Sequence, residues 1–142
     1  MVTSLSLPPF NFFLVNFVTF ALFFLFLVKK SNQHKNINLF FVYGWFFGFG
    51  YFVTNLYWIS ISLTFDQNFK FLIPLTSILI PAFISIFYGL VSCFFLLLKQ
   101  KKIISSFLIF SIIFGVLEFI RGSILTGFPW NLIVYSFSNQ LE

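Results

Sequence analysis

The sequence predicts an all-α membrane protein, a bundle of about four transmembrane helices, from three observations. Hydrophobic residues make up 60% of the 142 and charged residues only 8%, whereas a soluble domain carries about 25% charged residues. Six of the seven lysines are gathered in two clusters, and the apolar runs around them are long enough to cross a hydrocarbon layer of about 30 Å. No stretch alternates in polarity as the strands of a β-barrel do.

Four apolar runs predict the helices, because a backbone in lipid must satisfy its hydrogen bonds within its own segment. They cover residues 12–28, 39–63, 71–98 and 103–120. Pro74 and Pro81 fall early in the third run, which predicts a kink or a later helix start near Ile78. No repeat or Gly/Ser-rich linker divides the chain, so residues 1–142 are predicted to form one partial transmembrane domain.

The lysines predict which side of the membrane each loop faces. One cluster follows the first helix and the other lies between the third and fourth; they consist of Lys29, Lys30, Lys35, Lys99, Lys101 and Lys102. Cytoplasmic loops accumulate Lys and Arg. Loops 29–35 and 99–102 are therefore predicted to be cytoplasmic, which places both termini outside.

Glu118 and Arg121 are the only acid and the only arginine in or beside an apolar run. Three residues apart on a helix, they share a face and can pair. Glu118 is expected about 22 Å along the fourth helix. An ionisable residue at that depth is costly and indicates a functional site. The alternative is a structural ion pair that holds the helix end against its neighbours.

The segment that follows predicts a rigid turn at the outer surface. Gly127 permits a positive φ, Pro129 disfavours a helical conformation of the residue before it, and Trp130 suits the membrane–water interface. Residues 122–136 are therefore predicted to form an outer re-entrant or surface loop.

A stripe of small and polar residues marks one face of the second helix. Gly44, Gly48, Tyr51, Asn55 and Ser62 recur at helical spacings. Gly44 and Gly48 form a pair of small residues four apart, which lets two helices approach closely. Helix packing is the favoured role of Gly44, Gly48 and Asn55, and a ligand groove is the alternative.

No catalytic residue, metal site or cofactor is predicted. The single cysteine, Cys93, has apolar neighbours rather than the electropositive, accessible setting that activates a thiol, and His34 lies in a basic loop. The sequence contains no cluster of metal ligands and no phosphate-binding glycine loop. The net charge of +5 belongs to loops that face anionic lipid, so no nucleic-acid partner is expected.

Three segments together carry a family resemblance. The first is Gly44-Trp-Phe-Phe-Gly-Phe-Gly-Tyr-Phe52, followed by Asn55-Leu-Tyr-Trp-Ile-Ser-Ile-Ser62. The second is Glu118-Phe-Ile-Arg-Gly122, then Thr126-Gly-Phe-Pro-Trp130 and Tyr135-Ser136; the third is Ser6-Leu-Pro-Pro-Phe10. In order and spacing they resemble the glycine–aromatic helix, the next signature and the Pro-containing approach to the second helix of the bacterial apolipoprotein N-acyltransferases.

The resemblance implies a multi-pass protein of the bacterial inner (plasma) membrane that carries a periplasmic nitrilase-like α/β domain. Members of the family transfer an acyl chain from phospholipid to the N-terminal lipidated cysteine of a lipoprotein. The reaction passes through a thioester on a Cys that is assisted by a Glu and a Lys of the nitrilase-like domain. None of these three residues maps onto this chain, and Cys93 does not take the place of the nucleophile.

Three functions stay open at this point. The favoured one is a truncated apolipoprotein N-acyltransferase that is catalytically incompetent alone, with membrane phospholipid and lipoprotein as its implied partners. The second is the membrane half of a split acyltransferase that works with a separate nitrilase-like polypeptide. The third is a small membrane packing, interaction or transporter-like protein, although a transporter is expected to carry broken helices or polar residues near the midplane.

Overall fold

The computed structural model describes residues 14–56, 71 and 73–124, and every regular element in these ranges is helical. α1 covers Leu14–Gln33, α2 Ile37–Asn55, α3 Ile73–Leu98 and α4 Ile103–Ile124. By length and composition, α2, α3 and α4 can each cross a membrane. The predicted all-α membrane bundle is confirmed.

The helices run alternately up and down, so that the lysine-rich turns meet at one end of the bundle. Lys99, which follows α3, donates through Nζ to Ser31 Oγ at 2.5 Å and to Asn32 Oδ1 at 2.7 Å, both in the last turn of α1. α2 and α4 begin beside this contact. We call this part of the molecule, residues 29–37 and 99–103, the lysine end.

The helix boundaries at the lysine end differ from the predicted ones. α1 continues past Lys29 and Lys30 to Gln33 instead of ending at residue 28, because lysine is a good helix former and its long stem carries the charge out of the apolar layer. Charge therefore ends the apolar span without ending the helix. The predicted first residues of this helix, 12 and 13, lie outside the described range.

α2 begins at Ile37 instead of residue 39 because Asn36 caps it. The Asn36 Oδ1 accepts hydrogen bonds from the amides of Asn38 and Leu39 at 3.0 and 3.4 Å, which satisfies donors that have no partner inside the helix. α2 then ends at Asn55 instead of residue 63, and Leu56 already has non-helical backbone angles (φ −102°, ψ 8°). Residues 57–70 lie outside the described range.

The bounds of α3 and α4 also correct the prediction. α3 begins at Ile73 and runs through Pro81, so the alternative start near residue 78 is wrong. Pro74 falls in the first turn, where a missing N–H costs no helical hydrogen bond. α4 continues through Gly122 to Ile124, because a single glycine costs only about 1 kcal/mol in a helix. Residues 122–124 of the predicted loop 122–136 are therefore helical, and the rest of it lies outside the described residues.

α2 and α3 pack closely through the two glycines of α2. A Cβ atom at Gly44 would collide with the main-chain carbonyl of Tyr88, and one at Gly48 would lie 2.8 Å from the Tyr88 Cβ. Trp45 supports the same contact, since its Nε1 donates to the Ala82 carbonyl oxygen at 2.9 Å. Residues without bulky side chains let two backbones approach closely in this way. We call this contact the glycine seam.

The ring of Tyr88 lies at the centre of the bundle because the glycine seam holds it there. Five rings surround it with centroid distances of 5.2–6.3 Å: Phe20, Phe47, Tyr51, Phe52 and Phe114. These distances are typical of favourable aromatic pairs. α1, α2 and α4 therefore all contact one side chain of α3.

The glycine seam predicts opposite results for two alanine substitutions on the same helix. Gly44→Ala should lower the free energy of unfolding by about 1–3 kcal/mol, because its methyl group meets backbone that cannot move aside. Gly50→Ala is the matched control, since no atom lies within 4 Å of the added Cβ, and it should raise the free energy of unfolding by about 0.5–1 kcal/mol because alanine is the better helix former. Thermal unfolding in detergent measures both, and equal effects would contradict the seam.

Candidate functional site

A cluster of polar and charged side chains lies between α2, α3 and α4, away from the lysine end. Its members are Tyr51 and Asn55 of α2, Tyr88 of α3, and Glu118 and Arg121 of α4, and all but Glu118 are buried. With a rise of 1.5 Å per residue, Glu118 lies about 24 Å along α4 from Lys102. We call these five residues the polar cluster.

An ion pair forms the charged part of the polar cluster. The Arg121 Nη2 donates to the Glu118 Oε2 at 2.8 Å, with the Arg121 side chain 1% exposed and the Glu118 side chain 13% exposed. The guanidinium also lies over the ring of Phe52 in α2, with Cζ 4.9 Å from the ring centroid. Such cation–π contacts stabilise desolvated guanidinium groups. Arg121 therefore joins the end of α4 to α2 while its charge is neutralised within α4.

The ion pair faces two buried phenols. Glu118 and Arg121 both act electrostatically on Tyr51 and Tyr88, whose rings stack with centroids 6.0 Å apart. A negative and a positive charge thus lie beside two hydroxyl groups inside an apolar bundle. This arrangement can orient a polar group by hydrogen bonds and charge.

Asn55 lies one helical turn from Tyr51 on the same face of α2. Its Nδ2 donates to the Tyr51 carbonyl oxygen at 2.9 Å. Among the described residues, neither the Asn55 Oδ1 nor the Tyr51 hydroxyl has a hydrogen-bond partner. Buried polar atoms are almost always hydrogen-bonded to protein, water or a bound group, so we expect a partner for these two atoms from outside the described residues.

The structure brings some of the predicted site residues together and leaves others outside its description. Glu118 and Arg121 pair within the polar cluster, and Asn55 lies in the same cluster. Gly44 and Gly48 lie at the glycine seam. The three remaining candidates lie outside the described residues: Gly127, Pro129 and Trp130.

Sequence reasoning missed Tyr88, the residue on which both the seam and the polar cluster depend. A signal was present, because Ser85, Tyr88 and Ser92 recur at spacings of three and four and mark one face of an apolar helix. All three are buried against α2 or within the bundle. This stripe on α3 is the counterpart of the glycine stripe on α2.

Nothing in the described residues combines a nucleophile with a base. Cys93 lies five residues before the end of α3 at the lysine end, and its Sγ donates to the Ile37 carbonyl oxygen at 3.6 Å. No group of three potential metal ligands from His, Cys, Asp and Glu is present in the same part of the chain. The polar cluster can therefore bind and orient a group but has no side chain placed for covalent catalysis.

The buried ion pair predicts that two single substitutions do more harm than the double one. Arg121→Gln leaves the carboxylate of Glu118 without its counter-charge, and breaking a buried pair in this way costs about 3–5 kcal/mol. Glu118→Gln leaves the guanidinium in the same position. The double variant Glu118→Gln/Arg121→Gln leaves no buried charge, so its free energy of unfolding should be higher than that of either single variant. A double-mutant cycle in detergent measures the coupling, and additive losses would contradict it.

The whole chain matches a known protein family. Residues 1–142 match the family model described as the apolipoprotein N-acyltransferase N-terminal domain. No solved structure matches this chain.

Curated relatives agree with the family match. The chain is 37% identical over 138 residues to an apolipoprotein N-acyltransferase of Rhizobium rhizogenes, which covers 92% of this chain and 26% of the relative. It is 35% identical over 140 residues to that of Brucella melitensis biotype 1, a match that covers 94% of this chain and 26% of the relative. It is 33% identical over 143 residues to that of Rhodopseudomonas palustris, a match that covers 99% of this chain and 26% of the relative. The chain thus spans about a quarter of the length of the curated relatives that it matches, and it belongs to the apolipoprotein N-acyltransferase family, to whose N-terminal domain it corresponds.

Proposed function

We propose that this chain supplies membrane helices of an apolipoprotein N-acyltransferase, which shape the entrance through which phospholipid and lipoprotein acyl chains reach the catalytic domain. The observation that carries this proposal is the family match over all 142 residues. The relatives are named for transfer of an acyl group to an apolipoprotein, a reaction whose donor and acceptor are both lipids or lipid-linked. Helices that hold such chains at the membrane surface serve that reaction directly.

The lysine end faces the cytoplasm and the polar cluster faces the outer leaflet of the bacterial inner membrane in this proposal. Six lysines gather at one end of the bundle, and positively charged loops stay on the cytoplasmic side. The end of α4 then points to the periplasm, where the family resemblance expects a nitrilase-like catalytic domain. Residues 125–136, with Trp130, would follow α4 at that surface.

The Glu118–Arg121 pair has a positioning role in this proposal. Arg121 contacts Phe52 of α2 and bonds to Glu118, so the pair determines where α4 ends relative to α2. In this proposal the contact keeps the ends of α2 and α4 together beside the entrance.

These 142 residues are not proposed to transfer an acyl group unaided. The thioester chemistry of the family requires a Cys, a Glu and a Lys of the nitrilase-like domain, and the single cysteine here, Cys93, lies at the lysine end with its thiol directed to a main-chain carbonyl. Expression of the chain alone in a strain depleted of its own apolipoprotein N-acyltransferase should therefore leave lipoproteins without the N-linked acyl chain. Mass spectrometry of an N-terminal lipopeptide measures this, and restored N-acylation would contradict the proposal.

The same strain can test whether a second polypeptide completes the enzyme. Co-expression of the chain with a separately encoded nitrilase-like domain should restore N-acylation if the two parts assemble into one enzyme. Each part expressed alone is the control. Failure of the pair, with both parts present in the membrane fraction, would contradict the split arrangement.

A chimaera tests the role of the helices themselves. Residues 1–142 replace the matching quarter of the Rhizobium rhizogenes relative, which is 37% identical over that region, and the chimaera should support growth of the depleted strain. Arg121→Gln in the chimaera should reduce N-acylation, because breaking a buried ion pair costs about 3–5 kcal/mol of stability and loosens the contact between α4 and α2. Ser123→Ala, an exposed position two residues further along α4, is the matched control and should have no effect.

A further inference from the structure

Two cavities open at the lysine end, one on each side of Lys99. The first has a volume of about 370 Å³, and Lys35 and Lys99 line it together with Ile37 and Leu97. The second has a volume of about 340 Å³, and Lys99 and Lys101 line it together with Val28 and Ile103. Each cavity thus combines two lysines with an apolar wall.

The charge at this end is not balanced by carboxylates. Within residues 14–56 and 73–124 the only acidic side chain is Glu118, which lies at the opposite end of α4 and is paired with Arg121. Lys99 instead bonds to two uncharged oxygens, of Ser31 and Asn32. An ammonium group has three hydrogens to donate, so these contacts orient Lys99 without neutralising it and leave one hydrogen for another acceptor.

The helix termini add to the positive potential. α2 and α4 both begin at the lysine end, and neither has an acidic residue in its first turn, so the positive ends of two helix dipoles lie there without a balancing side chain. α1 and α3 end at the same place. Lys30 lies in the last turn of α1 and Lys99 directly follows α3, which offsets the negative ends of those two helices.

We propose that the lysine end binds the phosphate of an anionic phospholipid, with Lys99 as the central contact and Lys35 and Lys101 on either side. Basic pockets between membrane helices bind anionic headgroups in this manner. The apolar walls favour a lipid over a free anion, because Leu97 and Ile103 are exposed beside the cavities and can contact the first methylenes of the acyl chains. This site lies at the other end of the bundle from the polar cluster and does not depend on the proposed acyltransferase role.

The experiment measures the rise in melting temperature of the purified chain in detergent when dioleoyl phosphatidylglycerol is added. A ligand that binds only the folded state raises the melting temperature as its concentration increases. Phosphatidylglycerol should stabilise the chain more strongly than dioleoyl phosphatidylcholine at the same concentration, and inorganic phosphate should not stabilise it. Stabilisation by inorganic phosphate equal to that by the lipid would overturn the lipid assignment.

Substitution of two lysines in the same turn distinguishes a specific binding site from general surface charge. Lys99→Gln should weaken the apparent affinity for phosphatidylglycerol at least about tenfold, since it removes a charged hydrogen bond. Lys102→Gln removes the same charge from an exposed residue that lines neither cavity and should weaken it less than about threefold. Equal losses in the two variants would overturn the proposal.

A second variant covers the case in which Lys99→Gln fails to fold because it loses its contacts to α1. Lys35→Gln/Lys101→Gln removes one lysine from each cavity and leaves the Lys99 contacts in place. It should lose lipid-dependent stabilisation while keeping the melting temperature measured without lipid. Full retention of the lipid effect in this double variant would contradict the assignment.

Discussion

The free-energy cost of placing a charge in hydrocarbon determines how this chain is arranged. Among the described residues, the six lysines all lie at one end of the bundle, and the remaining length of the helices carries almost no charge. The one exception within a span, Glu118 and Arg121, forms an ion pair that is almost completely withdrawn from solvent. A single unpaired charge at that depth would be far more costly than a paired one. The lysine end and the polar cluster consequently have different chemistry: the first is basic and open, and the second is neutral overall and buried.

The polar cluster exists because two helices approach more closely than ordinary side chains allow. Gly44 and Gly48 leave room for the backbone of α3 at Tyr88, and this places the Tyr88 ring where α1, α2 and α4 can all pack against it. Phe52, on the same helix as the glycines, then meets the guanidinium of Arg121. The seam between α2 and α3 thus determines where α4 ends. This connects a packing feature to the proposed lipid entrance, since the segment after α4 begins from that position.

Much of this fold follows from the sequence. There is a physical reason for each part that the sequence does not predict. Long apolar runs predict the helices and their order, because hydrocarbon permits few other structures. The observed helix boundaries differ from the predicted ones where a charged residue does not end the helix, as at Lys29, and where a cap starts the helix earlier, as at Asn36. The three-residue spacing predicts that Glu118 and Arg121 can pair, but spacing within one helix cannot predict the contact with Phe52 on another. The stripe of Ser85, Tyr88 and Ser92 marks one face of α3, but the central position of Tyr88 depends on the register between two helices at the glycines, which spacing within α3 cannot predict.

Cysteine labelling from one side of the membrane tests most directly whether charge places the two ends of the bundle on opposite sides of the membrane. In a Cys93→Ser background, single cysteines are introduced as Gln33→Cys, Gln100→Cys and Ser123→Cys, all at exposed positions. A membrane-impermeant maleimide added to intact spheroplasts should label only the Ser123→Cys variant, and the other two should react once the membrane is opened. Labelling of Gln33→Cys and Gln100→Cys from opposite sides, or of all three from the same side, would contradict the account.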